Sequence, residues 1–158
     1  TLVNVTSDKC YEVKDTPSGY AENDPLGGHD PYSCSKAASE LLTRTYRRSY
    51  FVPECFEQHG KSIATARAGN VIGGGDWAPH RLIPDCMRAL MAGDDIRLRN
   101  PTHIRPWQHV FESLSGYLWL AAKLLQESDD GLAEAWNFGP LQFQAMATEN
   151  IVKKVIEL

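Results

Sequence analysis

At 158 residues, 42% hydrophobic and 23% charged, the chain has the length and composition of one ordinary globular domain. Its formal charge of −4 gives no general attraction to nucleic acid or to anionic membranes, and no apolar run approaches the length of a membrane span. Four scattered cysteines, with no C-x-x-C pair and no zinc spacing, predict reduced thiols in a cytoplasmic protein.

The first half of the chain predicts two strands separated by a helix. Residues 1–6 (TLVNVT) form a β-branched apolar run, which is typical of a parallel strand covered on both faces. A polar surface loop is predicted over residues 15–30. Asp30 is a good N-cap and Pro31 a good first helical residue, so a helix is predicted from there to a point before Pro53. Residues 61–69 (KSIATARAG) predict the second strand.

The second half continues the alternation. Residues 70–80 (NVIGGGDWAPH) predict a glycine-rich loop, and apolar residues every fourth position from Leu82 predict a short helix that ends at Gly93. Residues 95–99 (DIRLR) predict a short strand. A long helix is predicted after residues 105–110 (RPWQHV). Its apolar stripe is formed by Phe111, Leu114, Leu118, Ala121 and Leu125.

The last predicted elements are a strand at residues 134–139 (EAWNFG) and a helix that is capped by Thr148 and still runs at Leu158. Strands alternating with helices predict an α/β fold with a parallel sheet. A first strand that is apolar on both faces needs neighbours on both sides, and the last helix has no C-cap. We therefore expect the chain to be a segment of a longer protein.

Tyr32 and Lys36 stand four residues apart on the first predicted helix, so both side chains should share one helix face. A neighbouring ammonium lowers the free energy of ionising a phenol, although such a pair also arises often by chance. Ser7 and Asp8 follow the first predicted strand, where ligands of parallel α/β folds gather. From the local sequence alone, these two residues could equally well cap a turn.

Six segments occur in a fixed order: TSDKCY, DPYSCSK, GNVIGGGDW, RLIPD, HIRPWQHV and WNFG. This series, which covers nearly the whole chain, resembles the extended short-chain dehydrogenase/reductase family and specifically its nucleotide-sugar 4,6-dehydratases. Within that group, SDK and GNVIGGGDWA are most similar to the CDP-glucose enzymes. The resemblance implies a truncated NAD-dependent epimerase/dehydratase domain spanning residues 1–158. Residues 1–70 would supply part of a doubly wound, Rossmann-type parallel sheet, and residues 71–158 would supply segments of a smaller substrate-binding domain interleaved with the last sheet elements.

The resemblance also implies the reaction of the full-length protein. It would be a lyase that uses NAD to convert CDP-D-glucose into CDP-4-keto-6-deoxy-D-glucose. Tyr32 would take the proton of the C4 hydroxyl, while Lys36 would hold the nicotinamide ribose and keep the phenol acidic. Ser7 would hydrogen-bond the C4 oxygen, and Asp8 would protonate the departing C6 hydroxyl. Because that role requires a protonated carboxyl group, a raised pKa is expected for Asp8.

Lys9 departs from the family pattern, since relatives carry a glutamate there that removes the C5 proton. A lysine serves as a base only where burial or another cation lowers its pKa. Two hypotheses remain open: Lys9 is the C5 base, or Lys9 pairs with Asp8 and the base lies elsewhere.

Further contacts carry over from the resemblance. Asn70, Arg105 and Asn137 match contacts to the sugar diphosphate, for which an arginine fork is well suited. Arg81 and Leu82 match a substrate-contacting pair, and Arg97 and Leu98 are expected near the nucleotide base. Val71 is expected to contact the cofactor. The five histidines have no metal spacing and receive no role.

The glycine fingerprint that receives the NAD pyrophosphate is absent from the 158 residues, and GGGDW does not replace it. We therefore expect the isolated chain to bind NAD weakly or not at all and to be inactive. Two other functions remain open: a nucleotide-sugar 4-epimerase of the same superfamily, and a non-catalytic truncated fragment. The full-length protein is expected to form a homodimer or a higher homo-oligomer, as in the family.

Overall fold

The computed structural model describes residues 1–14, 19–126, 131–141 and 145–158. The strands are β1 (Leu2–Val5), β2 (Ile63–Ala68), β3 (Val71–Ile72), β4 (Ile104–Arg105), β5 (Gln108–His109), β6 (Ala135–Phe138) and β7 (Met146–Ala147). The helices are α1 (Pro31–Tyr50), α2 (Phe56–His59), α3 (Leu82–Ala92), α4 (Val110–Gln126) and α5 (Thr148–Ile156). The chain divides into two compact units, Thr1–Gly69 with Phe111–Gly139, and Asn70–Val110 with Pro140–Leu158.

The first unit contains a three-stranded sheet in the order β1-β2-β6, with both strand pairs parallel. This arrangement confirms the predicted parallel α/β fold. On one face of the sheet, Ala64 of β2 packs against Leu120 and Leu124 of α4, which forms the apolar core of the unit. Because successive side chains of a strand point to opposite faces, Thr65 and Arg67 of β2 face the other side, where α1 lies.

The predicted start of α1 is confirmed in detail. The Asp30 carboxylate accepts hydrogen bonds from the Ser33 amide at 3.0 Å and from the Ser33 hydroxyl at 2.6 Å, and Pro31 is the first helical residue. The helix ends at Tyr50, before Pro53 as predicted. The N-cap therefore fixes where the helix begins, and with it the position of Tyr32 in the first turn.

Helix α4 is confirmed, but its predicted apolar stripe lies on the exposed side. Phe111, Leu118 and Leu125 are each more than 70% exposed, whereas Ser113, Leu120 and Leu124 are buried. The helix is apolar on more than one side, so periodicity alone did not identify the face that packs on the sheet. Leu2 and Val5 of β1 are about half exposed in the described chain, and coverage of this strand on both faces stays a prediction for the full-length protein.

The second unit contains two small sheets and two packed helices. Strands β3 and β5 pair in parallel, β4 and β7 pair antiparallel, and α3 packs against α5. Helix α3 ends at Gly93, as predicted, because this glycine adopts the left-handed conformation with φ of 71°.

Three other predictions in the second unit were wrong. Residues 95–99 form no strand, since no other segment of the described chain pairs with them. Thr148 is the first residue of α5 and not its cap; its hydroxyl donates to the His103 carbonyl at 3.0 Å. Helix α5, which was predicted to run on to Leu158, ends at Ile156. The predicted loop at residues 70–80 also contains the short strand β3.

Among the described helices, none combines the length and the apolar character that a membrane span requires.

Candidate active site

Strand β1 leads into a one-turn 3-10 helix, and residues Ser7–Cys10 are called the β1 turn below. Ser7 is buried; its hydroxyl accepts a hydrogen bond from the Lys9 amide and donates one to Asp8 Oδ1, both at 3.2 Å. The side chains of Asp8 and Lys9 are half-buried. Burial raises the pKa of the Cys10 thiol to about 12, so Cys10 is a packing residue and not a nucleophile. Ser7 thus caps the turn and at the same time stands at the carboxyl end of a parallel strand.

The first turns of α1 carry Tyr32 and Lys36. The Lys36 ammonium lies 5.8 Å from the centroid of the Tyr32 ring, which is within the range of a cation–π contact. Tyr32 is 55% exposed, so its phenol is open to a ligand and is not packed into the interior. The predicted sharing of one helix face is confirmed by this contact.

The β1 turn and α1 are in contact within the first unit. Gly28 lies against the first turn of α1 so closely that a Cβ atom there would be 2.4 Å from Ser33 Cβ. The pKa of Asp30 is lowered, chiefly by the hydrogen bonds from Ser33 and to a smaller extent by the Lys9 charge. The structure therefore brings Ser7, Asp8 and Lys9 next to the helix that carries Tyr32 and Lys36.

Behind this surface lies a buried ion pair that the sequence analysis did not identify. Arg67 Nη2 donates to Glu40 Oε2 at 2.8 Å, and the two side chains are 4% and 2% exposed. The other arginine nitrogen, Nη1, donates to the Tyr11 hydroxyl at 2.8 Å and to the Glu22 carbonyl at 2.9 Å. The available signal was the alternation of alanine with Thr65 and Arg67 in the buried strand IATARA, which places polar side chains on one face.

Glu40 is ionised despite its burial. Desolvation by itself would raise the pKa of Glu40, but hydrogen bonds from Arg67, Thr6 and Thr65 together outweigh it and lower the pKa. Desolvation likewise opposes the charge of Arg67, and its bonds to Glu40 and Tyr11 more than compensate and raise the pKa of Arg67. Each charge is therefore maintained by the other.

Asn137, at the end of β6, is joined to the same network. Its Oδ1 accepts from the Tyr11 hydroxyl at 2.6 Å, and its Nδ2 donates to the Tyr20 carbonyl at 3.0 Å. The side chain is thus already hydrogen-bonded within the first unit, and its expected contact with a sugar diphosphate stays a prediction.

The second unit contains an open cavity of about 490 Å³. Five of the residues expected to contact substrate line it: Asn70, Leu82, Arg97, Leu98 and Arg105. Arg81 is not among the lining residues and occupies the position before α3. Val71 is also not among them; it lies in β3, paired with Gln108 of β5.

Several lining residues of this cavity were missed by the sequence analysis: His80, Asp85, Asp95, Arg99, His103 and Trp107. His80 has a φ of 63°, which is uncommon for a residue other than glycine. Arg105 Nη2 lies 3.2 Å from His103 Nδ1, and the buried Trp107 Nε1 has no hydrogen-bond partner among the described residues. Three arginines in one cavity provide planar donor forks that suit phosphate oxygens.

The fold and this distribution of residues define a class of protein: a Rossmann-type α/β domain with a Tyr-x-x-x-Lys pair on its first helix. The chain matches the NAD dependent epimerase/dehydratase family over residues 1–139, and it belongs to that family. The predicted family is therefore confirmed.

Among curated relatives, the chain is 51% identical to CDP-glucose 4,6-dehydratase of Salmonella typhimurium strain LT2, over 99% of this chain and 44% of the relative. It is 31% identical to dTDP-glucose 4,6-dehydratase of an Actinoplanes species, over 73% of this chain and 33% of the relative. The crystal structure of dTDP-glucose 4,6-dehydratase from Bacillus anthracis in complex with NAD matches with a TM-score of 0.77 at 23% identity, over 98% of this chain and 44% of that one. The chain thus spans less than half the length of these relatives, and the structural match confirms the predicted Rossmann-type fold.

Proposed function

We propose that the full-length protein is a lyase that catalyses the NAD-dependent 4,6-dehydration of CDP-D-glucose to CDP-4-keto-6-deoxy-D-glucose. The observation that carries the proposal is the contact of the exposed Tyr32 with Lys36 on α1, the helix that contacts the turn formed by Ser7, Asp8 and Lys9. The 51% identity to a CDP-glucose 4,6-dehydratase supports the nucleotide and the hexose.

The residues present fit the nicotinamide end of NAD. An exposed phenol and an adjacent ammonium offer hydrogen-bond donors to the hydroxyl groups of a ribose, so Tyr32 and Lys36 would hold that end. When bound, NAD supplies the acceptor of the C4 hydride and the donor of the hydride that returns to C6.

In the first half of the reaction, Tyr32 removes the proton of the C4 hydroxyl. Tyr32 acts on this hydroxyl as a general base, and the Lys36 ammonium, 5.8 Å from the centroid of the ring, is the charged group beside it. Ser7 would redirect its hydroxyl from Asp8 to the C4 oxygen. Tyr32 and Ser7 would then both hydrogen-bond the C4 oxygen.

In the second half, the ketone at C4 makes the C5 hydrogen acidic. Lys9 would remove the C5 proton, the C6–O bond would break as the C5–C6 double bond forms, and Asp8 would donate the proton with which the hydroxyl leaves as water. The half-buried positions of Asp8 and Lys9 in one turn support an acid and a base acting on neighbouring carbons.

The cavity of the second unit would hold the nucleotide diphosphate. Arg105 is proposed to clamp the diphosphate with its guanidinium fork, together with Asn70. Arg97 and Leu98 would contact the base, and Arg81 and Leu82 the sugar nucleotide. These assignments are supported by the cavity, because it is lined by Asn70, Leu82, Arg97, Leu98 and Arg105.

The cellular location and the oligomeric state of the full-length protein belong to the same proposal. The four cysteines are free thiols, which supports a location in the reducing cytoplasm. The outer side of α1 exposes Leu41, Leu42 and Tyr46, which supports a homodimer of the full-length protein. Light scattering of the purified full-length protein would report the mass.

The test of the proposed function uses full-length protein, CDP-D-glucose and NAD, with Tyr32→Phe as the control. A 4-keto-6-deoxy product, detected by its absorbance in alkali, is the expected result. Formation of CDP-galactose would establish the 4-epimerase instead, and a full-length protein that leaves CDP-D-glucose unchanged would contradict an enzymatic role on this substrate.

The role of Lys9 is tested by exchange of the C5 hydrogen with solvent deuterium. Lys9→Ala is expected to abolish this exchange, and Lys9→Glu is expected to retain part of it, since a carboxylate takes this position in relatives. Exchange at the wild-type rate in Lys9→Ala would remove Lys9 from the mechanism.

A further inference from the structure

Hydrogen bonds between buried and part-buried side chains join α1 to the sheet. The side chains that form them are called the polar layer: Asn4, Thr6, Ser39, Glu40, Thr43, Thr65 and Arg67. Asn4 Nδ2, for example, donates to the Thr43 hydroxyl at 2.8 Å and to the Ser39 hydroxyl at 3.1 Å. Hydrogen bonds are directional, so this layer fixes the position of α1 along the sheet more narrowly than apolar side chains would.

The two carboxylate oxygens of Glu40 have different partners. Oε2 accepts from the Thr65 hydroxyl and from Arg67, both at 2.8 Å, and both of these residues belong to β2. Oε1 accepts from the hydroxyl of Thr6, which is buried and immediately precedes Ser7. The first oxygen therefore anchors the helix to the middle of the sheet, and the second anchors it to the start of the β1 turn.

Glu40 also has a defined place relative to the catalytic pair on α1. It follows Lys36 by four residues and Tyr32 by eight, so the three side chains stand on successive turns of the same helix. The hydrogen bond from Thr6 to Glu40 thus joins the element that carries Tyr32 and Lys36 to the chain segment that carries Ser7 and Asp8.

We propose that Thr6 and Glu40 are positioning residues for the dehydration: their hydrogen bond sets Ser7 and Asp8 at the correct distance from Tyr32 and Lys36, and Arg67 holds the Glu40 carboxylate in place. This inference rests on the proposed function. Neither residue touches the substrate, because both are buried behind the β1 turn. Loss of the contact therefore slows turnover and leaves substrate affinity nearly unchanged.

The chain offers a matched pair of variants for the test. Thr6→Val and Thr65→Val each remove one buried hydroxyl that donates to the same carboxylate, but only Thr6 is joined to the β1 turn. In the full-length protein, both variants are expected to lower the urea midpoint to a similar extent. Thr6→Val is expected to lower kcat roughly 10- to 100-fold with KM within about 2-fold, as follows from catalytic groups displaced by about 1 Å. Thr65→Val is expected to retain kcat within about 2-fold of the wild type.

Thr6→Ser supplies the rescue, since it restores the hydroxyl without the methyl group. Its kcat is expected to return to within about 3-fold of the wild-type value. An equal loss of kcat in the two valine variants, or no recovery in Thr6→Ser, would show that the hydroxyl only stabilises the fold and would overturn the inference.

A crystal structure of each valine variant gives a readout that does not depend on turnover. The β1 turn is expected to be displaced relative to α1 in Thr6→Val and unchanged in Thr65→Val. An undisplaced turn in Thr6→Val would overturn the positioning role. If the wild-type protein fails to dehydrate CDP-D-glucose while the turn moves as expected, the proposed function fails and the structural coupling stands.

Discussion

Substitution of Gly28 by alanine tests whether the contact between the loop before α1 and the first turn of that helix sets the geometry of the site. A Cβ atom at Gly28 would lie 2.4 Å from Ser33 Cβ and 2.9 Å from the Ser33 carbonyl carbon. Ordinary contacts begin near 3.4 Å, so the loop and the helix must separate by about 1 Å. Overpacking of this kind destabilises a fold by about 1–3 kcal/mol. A 1 Å displacement of a catalytic group lowers turnover by up to roughly 10²-fold.

The assay measures kcat on CDP-D-glucose and the urea midpoint for Gly28→Ala in the full-length protein. Gly139→Ala is the control, since a Cβ at Gly139 meets no atom within 4 Å and lies in the same unit. We expect Gly28→Ala to lose at least 10-fold in kcat and Gly139→Ala to remain near wild type. Wild-type turnover in Gly28→Ala would refute the argument that the start of α1 is held in place by this close approach.

Tyr32→Phe is expected to lower kcat roughly 10²- to 10⁴-fold without loss of stability, as steady-state kinetics and thermal melting would show. Because the pKa of Glu40 is lowered in the folded chain, the ionised carboxylate stabilises the fold above its ordinary pKa of 4.5, and this stabilisation is lost as pH falls through the lowered pKa. Urea midpoints measured from neutral pH downward should therefore fall more steeply for the wild type than for Glu40→Gln. A colorimetric disulfide reagent is expected to label the exposed Cys34 in the native protein and Cys10 only after unfolding, and native labelling of Cys10 would contradict its burial. Gly116→Ala is expected to reduce the free energy of unfolding by about 1–3 kcal/mol in urea titrations, because a Cβ there would lie 2.4 Å from an aromatic ring of β6.

The features that the sequence predicted well are governed by local interactions. The start of α1 follows from Asp30 and Pro31, and the end of α3 follows from Gly93, because caps involve residues within one turn. The proximity of Tyr32 and Lys36 follows from helix geometry alone. Residues 95–99 have a composition that suits a strand, but a strand requires a partner, and pairing cannot be read from a single segment.

The buried network could not be predicted because its members are distant in sequence. Glu40 and Arg67 are 27 residues apart, and Thr6 reaches the same carboxylate only because β1 pairs with β2 in the register that places Val5 opposite Ala66. Motif order located the residues of the β1 turn and of α1, whereas the contact that joins them depends on the register of the sheet. The same holds for His80 and Arg99, which line the cavity of the second unit but belong to no motif that the sequence analysis used.

The central claim is that Tyr32, Lys36, Ser7 and Asp8 form the active centre of a 4,6-dehydratase. It is tested most directly by incubating the full-length protein with CDP-D-glucose that carries deuterium at C4. The account predicts a 4-keto-6-deoxy product in which the deuterium is found at C6, with no such transfer in Tyr32→Phe. The account would be contradicted if the substrate were recovered without any 4-keto-6-deoxy product, or if the product were an epimerised sugar nucleotide that keeps deuterium at C4.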